Sequence, residues 1–434
     1  MDKQSIFTKL RIALKVTARL IFMGILLIGN SPIFTDELLP VTAEGKAISQ
    51  ARGYTWVVSS LLDDGSEGTL RWALNSVVAG DRIEFDETIF PVGTPGVITI
   101  TSELPHVYVN DLTIDAVARG VILDGGDLVE KGLVIHSNNI VVQGLQVQGF
   151  KKDGIVLSDA ANCTIGGNRD AGEGNVVSGN GWNGIRLSGY YAQNNTIVGN
   201  ILGADASGMN PQPNGEYGIR LDNRANHNTI GGVLPGYGNL VSGNQDTGIL
   251  ITGIQTDLNQ IEGNLIGTNI NGDASLPNVK GIAISGGAKY SQVGGSTAAQ
   301  RNIISGNDSS GIYISGSGTD DNQVVGNYIG IDATGTLSLP NNNGISIADS
   351  AKGTKVGGDQ PELRNVISGN ENNGIYIYGI GTSDNLVQGN FIGTDPSGTA
   401  ARPNQGNGVE VVSTSGNNLV GGVNTGETCE GACN

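Results

Sequence analysis

Beyond about residue 97, apolar residues alternate with small or polar ones in short segments of four or five, and the three-and-four spacing of a helix does not fit. In Gly311-Ile-Tyr-Ile314, Ile312 and Ile314 fall on one side and Tyr313 on the other, which is the period of a β-strand. Such segments come in threes: GIYI, then NQVVGN, then YIGI. Glycine and asparagine stand at every corner between them, and both tolerate the positive φ of a sharp bend. A chain that keeps turning after three strands lays each strand beside its equivalent one coil on. The pattern therefore predicts an all-β parallel β-helix, three strands per coil, with Val, Ile and Leu inside. The crossover rule for parallel strands makes it right-handed.

The coils also repeat in pairs. SGNxxxGI recurs at Asn180, Asn244, Asn307 and Asn370, about every 63 residues, and GIxI occurs twice per unit, at Gly184 and Gly218, Gly248 and Gly281, Gly311 and Gly344, Gly374 and Gly408. Turns of about 34 and about 30 residues alternate. Residues 97–153 give tighter coils of about 22 residues, and the larger loops begin only after Gly154.

Asparagine opens the third strand of every coil from Asn175 on: Asn200, Asn239, Asn264, Asn302, Asn327, Asn365 and Asn390 follow. Stacked about 4.8 Å apart, these amides satisfy one another and the bent backbone, an asparagine ladder. A second ladder is expected in the middle strand, with Asn195, Asn259, Asn322 and Asn385 in the longer turns and Cys163, Asn228, Ser291, Thr354 and Asn418 between them.

GIxI with NxVxGNxIG and VGGxxxxxRNxISGN resembles the parallel β-helix repeats of the pectin-lyase-like superfamily, especially the repeat arrays of bacterial surface proteins, over residues 97–434. The resemblance implies the fold. That superfamily includes lyases, hydrolases, epimerases and adhesins, so it implies no single activity.

Residues 54–96 break the pattern. Leu70, Ala73, Leu74 and Val77 fall at i, i+3, i+4 and i+7, so a short amphipathic helix capped by Thr69 is predicted between two strands. Such a head covers the open end of the stack. Its Gly68-Thr-Leu-Arg-Trp-Ala73 resembles the CSLREA-type head segment of bacterial surface proteins, with Gly68 at the cysteine and Trp72 at the glutamate.

Residues 1–43 read as a signal sequence and linker. Lys3, Lys9, Arg11, Lys15 and Arg19 precede the apolar Leu20–Gly29, too short for a stable span, and Val41-Thr-Ala43 offers small residues for cleavage. The array is thus expected to be secreted or on the cell surface, with no membrane span beyond the signal.

With 69 Gly in 434 residues but no G-x-y period, collagen is excluded, and 38 % hydrophobic content suffices for a long, thin core. Net charge is −17, from 24 basic and 41 acidic residues, which disfavours nucleic acid. Cys163 stands in a ladder slot as a buried filler. Cys429 and Cys433 are placed to close a small disulfide in an exported protein. The final turn stops at Asn434, where a third strand is due. The repeat predicts that a strand like VISGN follows, and that residues 408–434 are the least ordered of the array.

Candidate chemistry is sparse. The NTD, GHG, RIK and YGxDPH signatures of polysaccharide-active relatives are absent, and His106, His136 and His227 are scattered along the sequence. The outward position of GIxI is occupied in turn by Val156, Arg186, Arg220, Leu250, Ala283, Tyr313, Ser346, Tyr376 and Glu410. One place stands out: Arg186 and Arg220 are neighbours in the stack, with Asp222 on the same face and Trp182, Tyr190, Tyr191 and Tyr217 at the flanking corners. Like charges that close need a negative partner, either Asp222 or an acidic sugar whose rings the aromatics would stack. Loops at Asp205, Asn269, Asp332 and Asp395 have turn chemistry, with too few converging carboxylates to favour calcium, the one metal such loops suggest; no other cofactor is implied. The expectation is a structural or binding surface, with carbohydrate as its ligand. The alternative is a lyase, hydrolase or epimerase acting on acidic glycans, which needs a constellation that departs from the repeat.

Overall fold

The computed structural model describes residues 53–412, 414–422 and 434. The signal-sequence reading and the Cys429–Cys433 pairing fall outside these residues. Three parallel sheets of 13, 11 and 10 strands wrap one continuous core. Each coil passes through all three in turn: Ser310–Ser315 lies in the ten-stranded GIxI sheet, Gln323–Val325 in the thirteen-stranded middle sheet, Tyr328–Ile329 in the eleven-stranded third sheet. Alternation sets what is buried. Ile312, Ile314, Val324 and Ile329 are fully buried, while Tyr313 faces out.

Corners close because glycine and asparagine occupy them. Gly326 has φ 73°, and a Cβ there would stand 2.1 Å from the carbonyl oxygen of Gly295 one coil away. No other residue fits. The next residue, Asn327, donates Nδ2 to Val293 O at 2.9 Å and to Asn365 Oδ1 at 3.1 Å. The same pattern links the first ladder from Asn175 to Asn390, and Asn434 takes the following slot, accepting from Asn390 N at 3.1 Å. The second ladder also forms, from Cys163 N to Asn195 Oδ1 onward. It is weakened at Ser291 and Thr354, whose buried hydroxyls find no partner.

A third ladder was not expected as such. Asn180, Asn214, Asn244, Asn278, Asn307, Asn341, Asn370 and Asn404 bond in succession beside the third sheet. The SGN landmark supplies alternate members, and a Pro-Asn pair before each intervening GIxI supplies the others.

The longer turns add small hairpins closed by Ala204–Pro211, Thr268–Ser275, Ile331–Ser338 and Thr394–Ala401 bridges. They stack on one another, with Ile270 N on Gly208 O at 3.0 Å and Ala333 N on Gly272 O at 2.9 Å. Their apolar sides join the outer residues of the third sheet, for example Leu276 with Ile201 and Leu240, and Ile331 with Tyr328 and Val366. The outer face of that sheet is therefore packed over. In the outer row of the GIxI sheet, Arg186, Arg220, Leu250, Tyr313, Tyr376 and Glu410 remain partly exposed, whereas Val156, Ala283 and Ser346 are buried.

At the first coil, helix Leu70–Ser76 lies between Thr55–Val58 and Arg82–Phe85, with Thr69 accepting from Trp72 N at 3.2 Å, as the sequence predicts. Its apolar face joins the core, and Thr55–Val58 is the end strand of the middle sheet. Arg71 fixes the head to the stack: it pairs with the buried Asp63 at 2.8 Å and donates to Ser102 O and Glu103 O. Among the described residues, no helix is long and apolar enough to cross a membrane.

Candidate functional site

Strand register settles which outward side chains meet. Val156, Arg186, Arg220, Leu250, Ala283, Tyr313, Ser346, Tyr376 and Glu410 pair one with the next across the GIxI sheet, in the predicted order. Arg186 and Arg220 are direct partners, so parallel spacing brings their backbones to about 4.8 Å. Side chains that carry the same charge cannot stay there uncompensated.

The compensation is internal. Asp222 Oδ2 accepts from Arg186 Nη2 at 2.9 Å and lies 2.7 Å from Arg220 Nε, although off the axis of that N–H. Arg186 Nη1 is also 4.0 Å from Asp153 Oδ2, and Arg220 Nη1 is 3.8 Å from Glu216 Oε2. The result is an alternating string, Asp153–Arg186–Asp222–Arg220–Glu216. Of the two accounts of the arginine pair, the protein-internal one is thus satisfied by geometry, with three carboxylates rather than one.

Hydrogen bonding in the string is incomplete. Among the described residues, eight buried side-chain polar atoms have no partner, and five of them are here: Asp153 Oδ2, Asn183 Oδ1, Arg186 Nε, Arg220 Nε and Asp222 Oδ1. Unpaired buried polar atoms are costly and rare in natural folds, so their concentration marks this place as different from the rest of the array. Asp153 and Asn183 are fully buried and joined by the Asn183 amide, and neither is among the residues that the sequence pattern singles out. The signal in the sequence is the residue just before each GIxI glycine: Asn183, Tyr217, Thr247, Lys280, Ser310, Asn343, Asn373 and Asn407 occupy it in the other coils, and Asp153 is its one carboxylate.

Above the string an open pocket of about 610 Å³ extends over the corner that leads to the middle sheet. Arg186, Arg220 and Asp222 form its floor, with Tyr190, Asp159 and Arg224 among its other lining residues. The four aromatics do not converge. Tyr190 lines the pocket, and Tyr191 packs edge-on against it at 5.1 Å, both more than half exposed. Trp182 and Tyr217 precede their strands and so lie at the opposite end. Lys152 sits 4.9 Å over the Trp182 ring and Arg220 5.7 Å from that of Tyr217. Burial, then Asp246 and Glu216, push the Tyr217 phenol above its ordinary pKa.

Elsewhere, His106 and His136 are not scattered in space. One coil apart in sequence, they meet with Nδ1 and Nε2 3.2 Å apart, and Tyr108 stacks on His136 at 4.9 Å. Burial and His106 lower the His136 pKa. Coil length hid this contact, because the register here steps by 28 residues, Val107 to Ile135 and Thr113 to Val141, rather than the 22 or so expected, which brings the two rings onto adjacent coils. The hairpin loops use turn chemistry: Asp205 accepts from Ser207 Oγ at 2.6 Å and Asn210 Nδ2 at 2.8 Å, and Asp395 binds Ser397 and Thr399 alike.

No protein-family model matches the chain, and no curated protein does. Among solved structures, it is similar to the A-module of a mannuronan C-5 epimerase of Azotobacter vinelandii, at 14 % identity and TM-score 0.45, covering 84 % of this chain and 88 % of that one. A pectate lyase aligns at 15 % identity and TM-score 0.40 over 70 % of this chain and 78 % of its own. A periplasmic alginate epimerase aligns at 14 % and 0.35, over 79 % and 76 %.

Proposed function

We propose that this protein is an exported β-helix whose GIxI sheet is a binding surface for carbohydrate, and that the pocket over Arg186 and Arg220 is where an acidic glycan is held. One observation carries the reading: in an array where each coil repeats the last, Arg186, Arg220 and Asp222, three side chains with unpartnered buried polar atoms, together line one open pocket that Tyr190 borders. Sugars present hydroxyl donors and acceptors together with apolar ring faces, which suits a polar floor and an exposed tyrosine. Secretion or display at a cell surface follows the same reading, since extracellular glycans are the ligands.

The same unpaired carboxylates favour a second reading, an enzyme acting on acidic polysaccharide, because buried groups of this kind are common where proton transfer occurs. Retention of the purified protein on immobilised polyuronate and on a neutral polysaccharide at low salt tests binding. Retention on polyuronate that weakens in Arg220→Ala supports the proposal, whereas no retention on either matrix ends it. Appearance of unsaturated uronate ends during the same incubation moves the assignment to a lyase.

A further inference from the structure

Given a sugar in this pocket, we infer that Arg224, rather than the two strand arginines, reads its acidic group, while Asp222 with Arg186 and Arg220 reads ring hydroxyls. The inference rests on the pocket reading above. Arg186 and Arg220 each lie between two carboxylates, so their charge is already answered. Arg224 is the third arginine lining the pocket, is exposed, and has no carboxylate within salt-bridge distance among the described residues. It supplies the charge that a ligand anion can use.

Its backbone supports a special role. Asn223 and Arg224 form a corner with φ 52° and 78°, where the sister corners hold Gly286–Gly287 at 64° and 92° and Asp349–Ser350 at 51° and 73°. Left-handed backbone disfavours a long side chain, so the surroundings must hold this one. They do: Arg224 N donates to Thr256 Oγ1 at 3.1 Å, and Arg224 O accepts from Asn226 Nδ2 at 2.7 Å.

The floor has the opposite requirement. Asp222 Oδ1 is an acceptor and Arg186 Nε a donor without a protein partner, both buried just beneath the pocket surface, while Arg220 Nε is held 2.7 Å from Asp222 Oδ2. A hydroxyl both donates and accepts, so a sugar hydroxyl satisfies such a set once the floor side chains turn toward it and bring these buried atoms to the pocket surface. A carboxylate only accepts, and it would meet Asp222 with like charge. The ligand class is therefore a uronic-acid residue within an oligosaccharide, its hydroxyls over Asp222 and its carboxylate toward Arg224.

Calorimetric titration of the full chain with an oligogalacturonate and with its carboxyl-reduced, neutral counterpart tests this. The wild type is expected to prefer the acidic oligosaccharide. Arg224→Gln should lose roughly tenfold in affinity for it, the value of one charge-assisted hydrogen bond, without change toward the neutral one, and Arg224→Lys should retain most of the preference. Equal wild-type affinity for the two, or an Arg224→Gln variant that weakens both equally or neither, overturns the inference and leaves the pocket reading standing. Absence of wild-type binding to both overturns the pocket reading itself.

Discussion

Asn302 donates its side-chain amide to Asn327 Oδ1 at 2.9 Å, and its backbone N–H reaches the same oxygen at 3.3 Å. One side-chain oxygen thus binds two groups of the preceding coil, and the relation repeats along the stack. Asn302 also donates to Ile261 O and accepts from Asn264. Every polar atom of this fully buried amide is used.

Asn302→Ala should therefore destabilise the protein by about 1 to 3 kcal/mol, because it strands partners on two coils that no water replaces. Asn210, exposed and bonded only within its own hairpin, should tolerate the same change. Denaturant unfolding of both variants checks this, and equal midpoints would refute the ladder as a source of stability.

The hairpin at Asp205 carries a pH signature. Burial raises the carboxyl pKa, but bonds from the Ser207 hydroxyl, Asn210 and Met209 outweigh it and hold the group at about 2. A folded pKa below the unfolded value of roughly 3.9 means that the contribution is complete above that value and is lost as pH falls through 2. Carbon-detected NMR titration should find Asp205 ionised at pH 3. A midpoint near 4 would show that these loop bonds do not persist in solution.

The fold was legible because each of its causes is local: alternation, corner glycines and ladder asparagines recur in the sequence at the coil period. Even the outward row could be written down from GIxI, since a three-strand coil fixes register once one strand is placed. What the repeat hid was anything that depended on neighbours across coils. The approach of His106 to His136 and the stacking of Asn214 on Asn180 and Asn244 follow from coil lengths near 30, which the sequence shows only after alignment of corners. Asp153 was hidden for another reason. Its significance is the absence of a partner for one oxygen, and an absence of that kind exists only once side chains are packed.

Cys163 offers a test of the second ladder. Its thiol, pushed up to about 11 by burial, fills the slot of an asparagine, with Sγ 3.4 Å from Ser137 O. In the next coil Asn195 makes the corresponding bond to Ala160 O at 2.9 Å. Cys163→Asn should restore that bond, leaving the thermal midpoint unchanged or raised, whereas Cys163→Leu, which offers no donor, should lower it. A Cys163→Asn protein less stable than Cys163→Leu would mean that the slot selects for apolar fit.

The arginine string makes the last prediction, and it concerns stability apart from any ligand. Asp222 has a nearly buried side chain, 6 % exposed, and is the one carboxylate shared by Arg186 and Arg220. Asp222→Asn keeps its shape but leaves two partly exposed guanidinium groups on adjacent strands with only the more distant Asp153 and Glu216, so a loss of about 1 to 3 kcal/mol is expected. Added salt should recover part of it, because screening acts on the new repulsion between partly exposed charges. Removal of one arginine should do the same: Asp222→Asn combined with Arg186→Gln should be more stable than the two separate losses predict when added. A double-mutant cycle measures that difference directly. If the losses simply add, and salt has no effect on Asp222→Asn, then Asp222 is not what holds the two arginines together.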